Sequence, residues 1–248
     1  MKKIAVLSGK GGVGKTTMAA SLAKALVSRG FKTGFLDSDL TGPNALDIFG
    51  GGELVVVDDC FEPSDLAGLR YVSIAQIVSR EEPVLWSGED FKSAAVQLLE
   101  RTRWDVEYLV VDFPPGTGAE PQVLLPMMDY AVIVTIPSHL SESNVRRTIN
   151  MCREHGVPIL GLVKNMVGLS CPKCGTLITV FPEDHSFGEY GIPTLAEFPL
   201  DPQVAKDKLI NDFPIDRFLE AMDHPVVLKR RRMRRSLLKS LRNLLKGG

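Results

Sequence analysis

A chain of 248 residues, 44% hydrophobic and 24% charged, has the make-up of a globular protein with one large α/β domain or at most two small ones. No apolar run approaches the roughly 20 residues that span a bilayer, and four cysteines, only two of them close in sequence, make no disulfide framework. The net charge of −1 hides a split: residues 1–228 carry 20 Lys/Arg against all 30 Asp/Glu, whereas residues 229–248 carry nine Lys/Arg and no acid. The chain therefore divides into an acidic body and a basic tail.

Two lysines ahead of Ile4-Ala5-Val6-Leu7 have the charge order of a signal peptide. The apolar run is short and enters a glycine loop with no cleavage site, so residues 2–8 read as the first strand of a cytoplasmic protein. A helical period through Met18, Leu22, Ala25 and Leu26 predicts a helix over 15–29, stopped by Gly30. Strands follow at 31–36, 69–75, 106–111, 130–136, 158–163 and 194–198, with helices clearest at 89–102 and 141–154. Strands alternating with helices predict a doubly wound, mostly parallel sheet. Ligands in such sheets bind at the carboxyl ends of strands, and every motif below follows a strand.

Gly9-x4-Gly14-Lys15-Thr16 satisfies the P-loop pattern between a predicted strand and a predicted helix. Glycines let the backbone N–H groups of Gly11, Gly12, Val13, Gly14, Lys15, Thr16 and Thr17 face phosphate, and the helix adds its positive end. Lys15 is expected on the β/γ-phosphates of ATP and Thr16 on Mg²⁺. Asp37 and Asp39 follow the second strand, and Asp112 closes the apolar run Leu109-Val110-Val111 as a Walker B acid does. Metal-assisted phosphoryl transfer needs one acid for the cation and another group for the attacking water. Phe113-Pro114-Pro115-Gly116-Thr117-Gly118 then reads as a stiff loop able to report nucleotide state.

The string GKGGVGKTT resembles the deviant Walker A motif of the MinD/ParA/nitrogenase-iron-protein group. That resemblance implies that Lys10 reaches across an ATP-sandwich homodimer, that Asp39 orients the water and that Asp37 and Asp112 support the metal. Asp112-x-Pro-Pro-Gly-Thr-Gly, Gly42-Pro43-Asn44 and Pro83-Val84-Leu85-Trp86-Ser87-Gly88 are similar to the Mrp/ApbC branch, the iron–sulfur cluster carrier ATPases. The chain departs from that branch at Ser87, where Arg is usual, and at Ala119, where Asp is usual. By the same resemblance Asn165, whose amide both donates and accepts, takes the adenine edge, and Pro199-Leu200-Asp201 forms a second base-side loop.

Cys171-Pro172-Lys173-Cys174 lies six residues beyond Asn165, outside the predicted elements. Its two thiolates can converge on one metal, with Lys173 or a helix end expected to lower a thiol pKa. A four-thiolate site needs two more, which a twofold homodimer supplies. In the Mrp branch this pair is taken to bridge a [4Fe-4S] cluster; zinc is the other metal such thiolates would take. Cys60 and Cys152 read as small core hydrophobes, the four histidines have no ligand spacing, and the body has no nucleic-acid signature.

Met233, Leu237, Leu238, Leu241, Leu244 and Leu245 fall on one face of a basic amphipathic helix in the tail 229–248. Such a helix suits an anionic membrane surface, where the protein would sit peripherally, or an acidic protein surface, its own body included. The resemblances together imply a slow ATPase coupled to transfer of a cluster, held between two subunits, to apo-proteins. A MinD/ParA-like positioning ATPase and a nickel or zinc insertion ATPase are the alternatives.

Overall fold

The computed structural model describes residues 1–39, 45–50, 53–77, 88–171, 173–179 and 190–230. Parallel strands β1 (Lys2–Leu7), β2 (Thr33–Asp37), β6 (Leu69–Ser73), β7 (Tyr108–Asp112), β8 (Tyr130–Thr135) and β9 (Ile159–Ser170) form the centre of one sheet. Its order is β10-β9-β8-β1-β7-β2-β6-β5, with β11 (Thr194–Leu200) also paired to β9 in parallel. Short antiparallel strands β5 (Ser64–Leu66) and β10 (Leu177–Thr179) lie on β6 and β9. Strands β3 (Val55–Val57) and β4 (Cys60–Glu62) make a separate hairpin.

Alternation along the strands feeds two cores. Ile4 and Val6 of β1 join Met18, Leu22 and Leu26 of α1 (Lys15–Ser28) and Phe218 of α7 (Ile215–Asp223). Ala5 and Leu7 face the other way, against Leu98 of α3 (Gly88–Arg101), Leu124 of α4 (Ala119–Leu124) and Ile149 of α5 (His139–His155). Two short helices, α2 (Ala45–Phe49) and α6 (Pro202–Asp207), border the carboxyl ends of the strands.

The expected doubly wound sheet is present, and each strand expected from the sequence is found within a few residues. The difference lies in β9. Its apolar run ends at Val163, but β11 runs beside it and pairs Phe198 with Asn165 and Leu200 with Leu169. Cross-strand pairing therefore carries the strand through polar positions where local pattern predicts a stop. Past Arg230, the expected tail helix lies outside the described residues, as do Gly42-Pro43-Asn44 and Ser87.

Gly161 is what lets β11 close on β9. A Cβ there would stand 2.5 Å from Leu195 Cγ and 2.7 Å from the Pro193 carbonyl oxygen, a backbone atom that cannot swing aside. Gly161→Ala is expected to destabilise the fold by about 1–3 kcal/mol through overpacking, read as a lower urea midpoint with an unchanged slope.

Candidate nucleotide site and cysteine hairpin

The chain leaves β1 at Leu7 and turns through Gly12 and Gly14, whose φ angles of 76° and 82° favour glycine. Gly9 is required for a different reason: a Cβ there would lie 2.7 Å from the backbone of Asn144 on α5. The Ser8 hydroxyl donates to the Lys10 carbonyl at 3.0 Å, and the Gly116 N–H donates to the Ser8 carbonyl at 2.8 Å. The second bond ties the Pro-rich loop after β7 to the phosphate loop. A cavity of about 620 Å³ opens over this loop, lined by Lys10, Gly11, Gly12, Gly14, Lys15, Thr16, Thr17 and Asp39. Asp47 and Ile48 of α2, Pro115, Met166 and Lys208 complete its wall, and the Lys208 ammonium donates to the Asp47 carbonyl at 3.3 Å.

Beneath the cavity lies a buried cluster of charge. Lys15 Nζ sits 2.6 Å from Asp112 Oδ1 and 3.5 Å from Asp39 Oδ2. Burial alone would lower the Lys15 pKa, but the charges of Asp112 and Asp39 outweigh it and raise the pKa above its ordinary value. Asp37 spends both oxygens on protein donors, Oδ1 on the Asp39 N–H at 3.1 Å and Oδ2 on the Ser73 hydroxyl at 2.9 Å. Burial, then the neighbouring Asp112 charge, pushes its carboxyl up to about 7. Asp112 is also raised by burial, opposed chiefly by Lys15 and, more weakly, by the Thr16 hydroxyl. Thr16 nevertheless leaves Asp112 Oδ2 buried without a hydrogen-bond partner.

Three carboxylates thus surround one ammonium, and one buried carboxylate oxygen lacks a donor. Hard divalent cations take such oxygens, directly or through water, so this donor set fits Mg²⁺. Ala119, by contrast, is exposed at the start of α4 and does not line the cavity.

Asn165 is brought to the phosphate loop by the lengthened β9. Its Nδ2 donates to the Val13 carbonyl at 2.9 Å and lies so close to Gly14 that a Cβ there would collide with it. Pro199 and Leu200 end β11 beside it, and Asp201 caps α6 by accepting from the Gln203 N–H at 2.8 Å. None of these three lines the cavity. Ser73, Asn144, Asp47, Ile48 and Lys208 were not expected in the site. Only Ser73 carried a signal, a hydroxyl at the carboxyl end of a parallel strand; the others are joined to the site by tertiary packing.

The cysteine pair lies in the turn between β9 and β10. The Cys171 N–H donates to the Thr176 carbonyl at 2.9 Å, and the Gly175 N–H donates to the Cys171 carbonyl at 2.9 Å. Cys171 is half-buried and Cys174 exposed, both as free thiols. The Cys174 thiol is lowered by the Thr176 hydroxyl, then by the Thr176 backbone and by Cys171. Thr176, rather than Lys173 or a helix end, is thus the group that favours the thiolate. Among the described residues no group of three or more His, Cys, Asp or Glu gathers for a metal, so within them the pair supplies two ligands. Cys152 is buried and its thiol is pushed up to about 12 by burial, as expected of a core cysteine.

A glycine loop between β1 and α1, a buried lysine behind it and acids at the ends of β2 and β7 define a P-loop nucleoside triphosphatase. The model of the family described as ParA, NUBPL iron-transfer P-loop NTPase, matches residues 1–227. The chain belongs to that family. It is 35% identical over 243 residues to a protein named cytosolic Fe-S cluster assembly factor Nubp2 homolog from Drosophila melanogaster, covering 90% of this chain and 94% of that one. It is 38% identical over 214 residues to an iron-sulfur cluster carrier protein from Aquifex aeolicus, covering 82% of this chain but 58% of that longer relative. A nucleotide-binding protein of Archaeoglobus fulgidus, solved in complex with ADP, matches with a TM-score of 0.73 at 30% identity, over 93% of this chain and 94% of that one. The cell division ATPase MinD of Pyrococcus furiosus matches with a TM-score of 0.65 at 20% identity, over 90% and 98%, which is a likeness of fold.

The raised Asp37 carboxyl has a consequence for stability. The folded state holds its proton to about pH 7, whereas the unfolded chain releases it near 3.8, so the nucleotide-free protein loses stability as pH rises between those values. Asp37→Asn removes the titration. Thermal midpoints from pH 4.5 to 8 are expected to fall less steeply for the variant than for the parent.

Proposed function

We propose that this protein is an ATP-hydrolysing carrier that holds an iron–sulfur cluster between two identical subunits and delivers it to apo-proteins in the cytoplasm. The observation that carries this reading is β9. One strand bears Asn165 against the phosphate loop and ends at Ser170, next to Cys171. Five residues separate the two, so the span is at most roughly 20 Å at about 3.3 Å per step, and the ladder to β11 shifts register between them, where Met166 takes a positive φ of 55°. A change at the nucleotide thus has a path to the thiols along one strand, whose two ends are held by β11 and β10.

In the nucleotide step, the N–H groups of residues 11–17 cradle the phosphates, and Lys15 exchanges Asp112 for the β/γ-phosphate oxygens. Thr16 and Asp112 would hold Mg²⁺, with Asp37 fixed behind them. When bound, the cation neutralises charge between the β- and γ-phosphates. Asp39 orients the attacking water, Lys10 reaches the partner's nucleotide, and Asn165 with Pro199, Leu200 and Asp201 borders the base. Hydrolysis is slow because the site is complete only when two chains meet.

The cargo, a [4Fe-4S] cluster, needs four thiolates, and each chain offers two. A twofold dimer places two Cys171/Cys174 hairpins together. The lowering of the Cys174 thiol by Thr176 favours the thiolate that ligates metal, and its exposure allows a recipient's thiols to displace it. The names of the Nubp2 and carrier-protein relatives support this cargo.

Anaerobic reconstitution with iron and sulfide is expected to give a brown dimer absorbing broadly near about 400 nm, with about four irons per dimer. Cys171→Ala/Cys174→Ala should abolish the colour and leave ATP binding intact. A colourless protein that takes only zinc would overturn the reading. Lys10→Ala should still bind ATP as a monomer but lose ATP-dependent dimerisation in sedimentation and most of its hydrolysis.

A further inference from the structure

By the amino end of β7, away from the phosphate loop, the β3–β4 hairpin displays three consecutive valines to solvent. Val55, Val56 and Val57 are 56%, 59% and 40% exposed. Consecutive strand residues point to opposite faces, so both faces of this strand are apolar and uncovered. The hairpin turns through Asp58 and Asp59, both at positive φ (49° and 60°), and is flanked by Glu53 and Glu62. Arg103 holds the turn, binding Glu62 at 2.7 Å and Asp58 at 3.3 Å. Four acids against that one arginine leave the surface acidic as well as apolar.

The tail has the complementary make-up. Residues 231–248 carry seven Lys/Arg, no acid and a stripe of Met233, Leu237, Leu241 and Leu244. Its point of departure is also suitable. Val226 bridges Ile159 at the amino end of β9, and the Arg230 guanidinium donates to the His155 carbonyl at 3.2 Å. Val226 and Leu228 pack on the same core cluster as Leu54 and Phe61 of the hairpin region. Both therefore lie on one face of the sheet, and Phe61 bridges Thr102 just ahead of β7, near the strands' amino ends. From β9 to β7 is three strand steps, roughly 15 Å at about 4.8 Å each. Eighteen residues wound as a helix would reach about 27 Å.

We propose that the basic tail of this chain docks on its own β3–β4 hairpin, laying its leucine stripe on Val55–Val57 and its cations against Glu53, Asp58 and Asp59. The contact hides apolar surface on both partners and neutralises the charge split between body and tail. A tethered segment sees its site at an effective concentration of about 1 mM, so an affinity of only about 0.1 mM keeps it docked roughly nine-tenths of the time.

Amide hydrogen exchange of residues 54–62 tests this, comparing the full chain with a chain ended at Arg230. The hairpin amides should exchange about tenfold more slowly in the full chain, as that occupancy implies. The protection should shrink with added salt and disappear in full-length Asp58→Lys/Asp59→Lys and Val55→Ser/Val56→Ser. Equal exchange in the full and shortened chains would overturn the proposal. So would protection that grows with protein concentration, which means a second copy is the occupant, or tail protection seen only with phosphatidylserine vesicles while the hairpin stays open.

Discussion

The fold around the nucleotide depends on one electrostatic constraint: Lys15 is buried with Asp112, Asp39 and Asp37, three acids to one base. The parts of that cluster come from three separate segments of the chain. The lysine comes from the phosphate loop, one pair of acids from the end of β2 and the third from the end of β7. They meet because β1 lies between β7 and β8 and β2 lies against β7, in register so that Asp37 stands opposite Asp112. A one-residue slip of either strand would turn its acid to the other face and leave the lysine unpaired in the interior. Burial raises both Asp37 and Asp112, so the cluster is costly without further positive charge. A magnesium–nucleotide complex relieves that cost, because it brings a cation to the acids and phosphates to the lysine.

The second organising feature is mechanical. Most strands in this sheet end where the ligand begins, but β9 continues to Ser170, flanked by β11 on one part of its length and β10 on another. Close packing at Gly161 against β11, and at Gly168 against the Ile178 carbonyl of β10, leaves little slack in this edge of the sheet. The cysteine turn thus hangs from a braced ribbon. Leu177 and Ile178, 52% and 50% exposed beside it, give this end an apolar rim that favours contact with another protein surface.

Much of this was legible in the sequence because the chemistry is compressed into short strings. Gly9–Thr17 specifies both a turn and a charge, and the apolar runs ahead of Asp37 and Asp112 specify which end of the sheet those acids occupy. Local pattern failed where structure depends on distant partners. Lys164 and Asn165 read as lying just past a strand that ends at 163, yet β11 carries the strand beyond them. Val55-Val56-Val57 falls in a segment with no assigned element, because a hairpin with both faces exposed lacks the alternation that marks a half-buried strand. Asn144 and Lys208 gave no warning: one touches Gly9 from the side of a helix, and the other reaches the cavity from a left-handed turn at φ 59°.

The two ends of the sheet are also chemically separate, and this bears on what the tail can control. Nucleotide and cysteines occupy the carboxyl ends of β1, β2, β7 and β9, whereas the hairpin and the point of exit at Arg230 lie by the amino ends of β7 and β9. Strands of five or six residues stand between them, about 17–20 Å of packed core. At that range, screening by salt reduces any direct effect of the tail's charge on the Lys15 cluster. A docked tail therefore governs which surfaces the protein meets rather than how fast it hydrolyses ATP. Coupling between the ends would have to pass through strand or helix displacement, which the braced β9 edge resists.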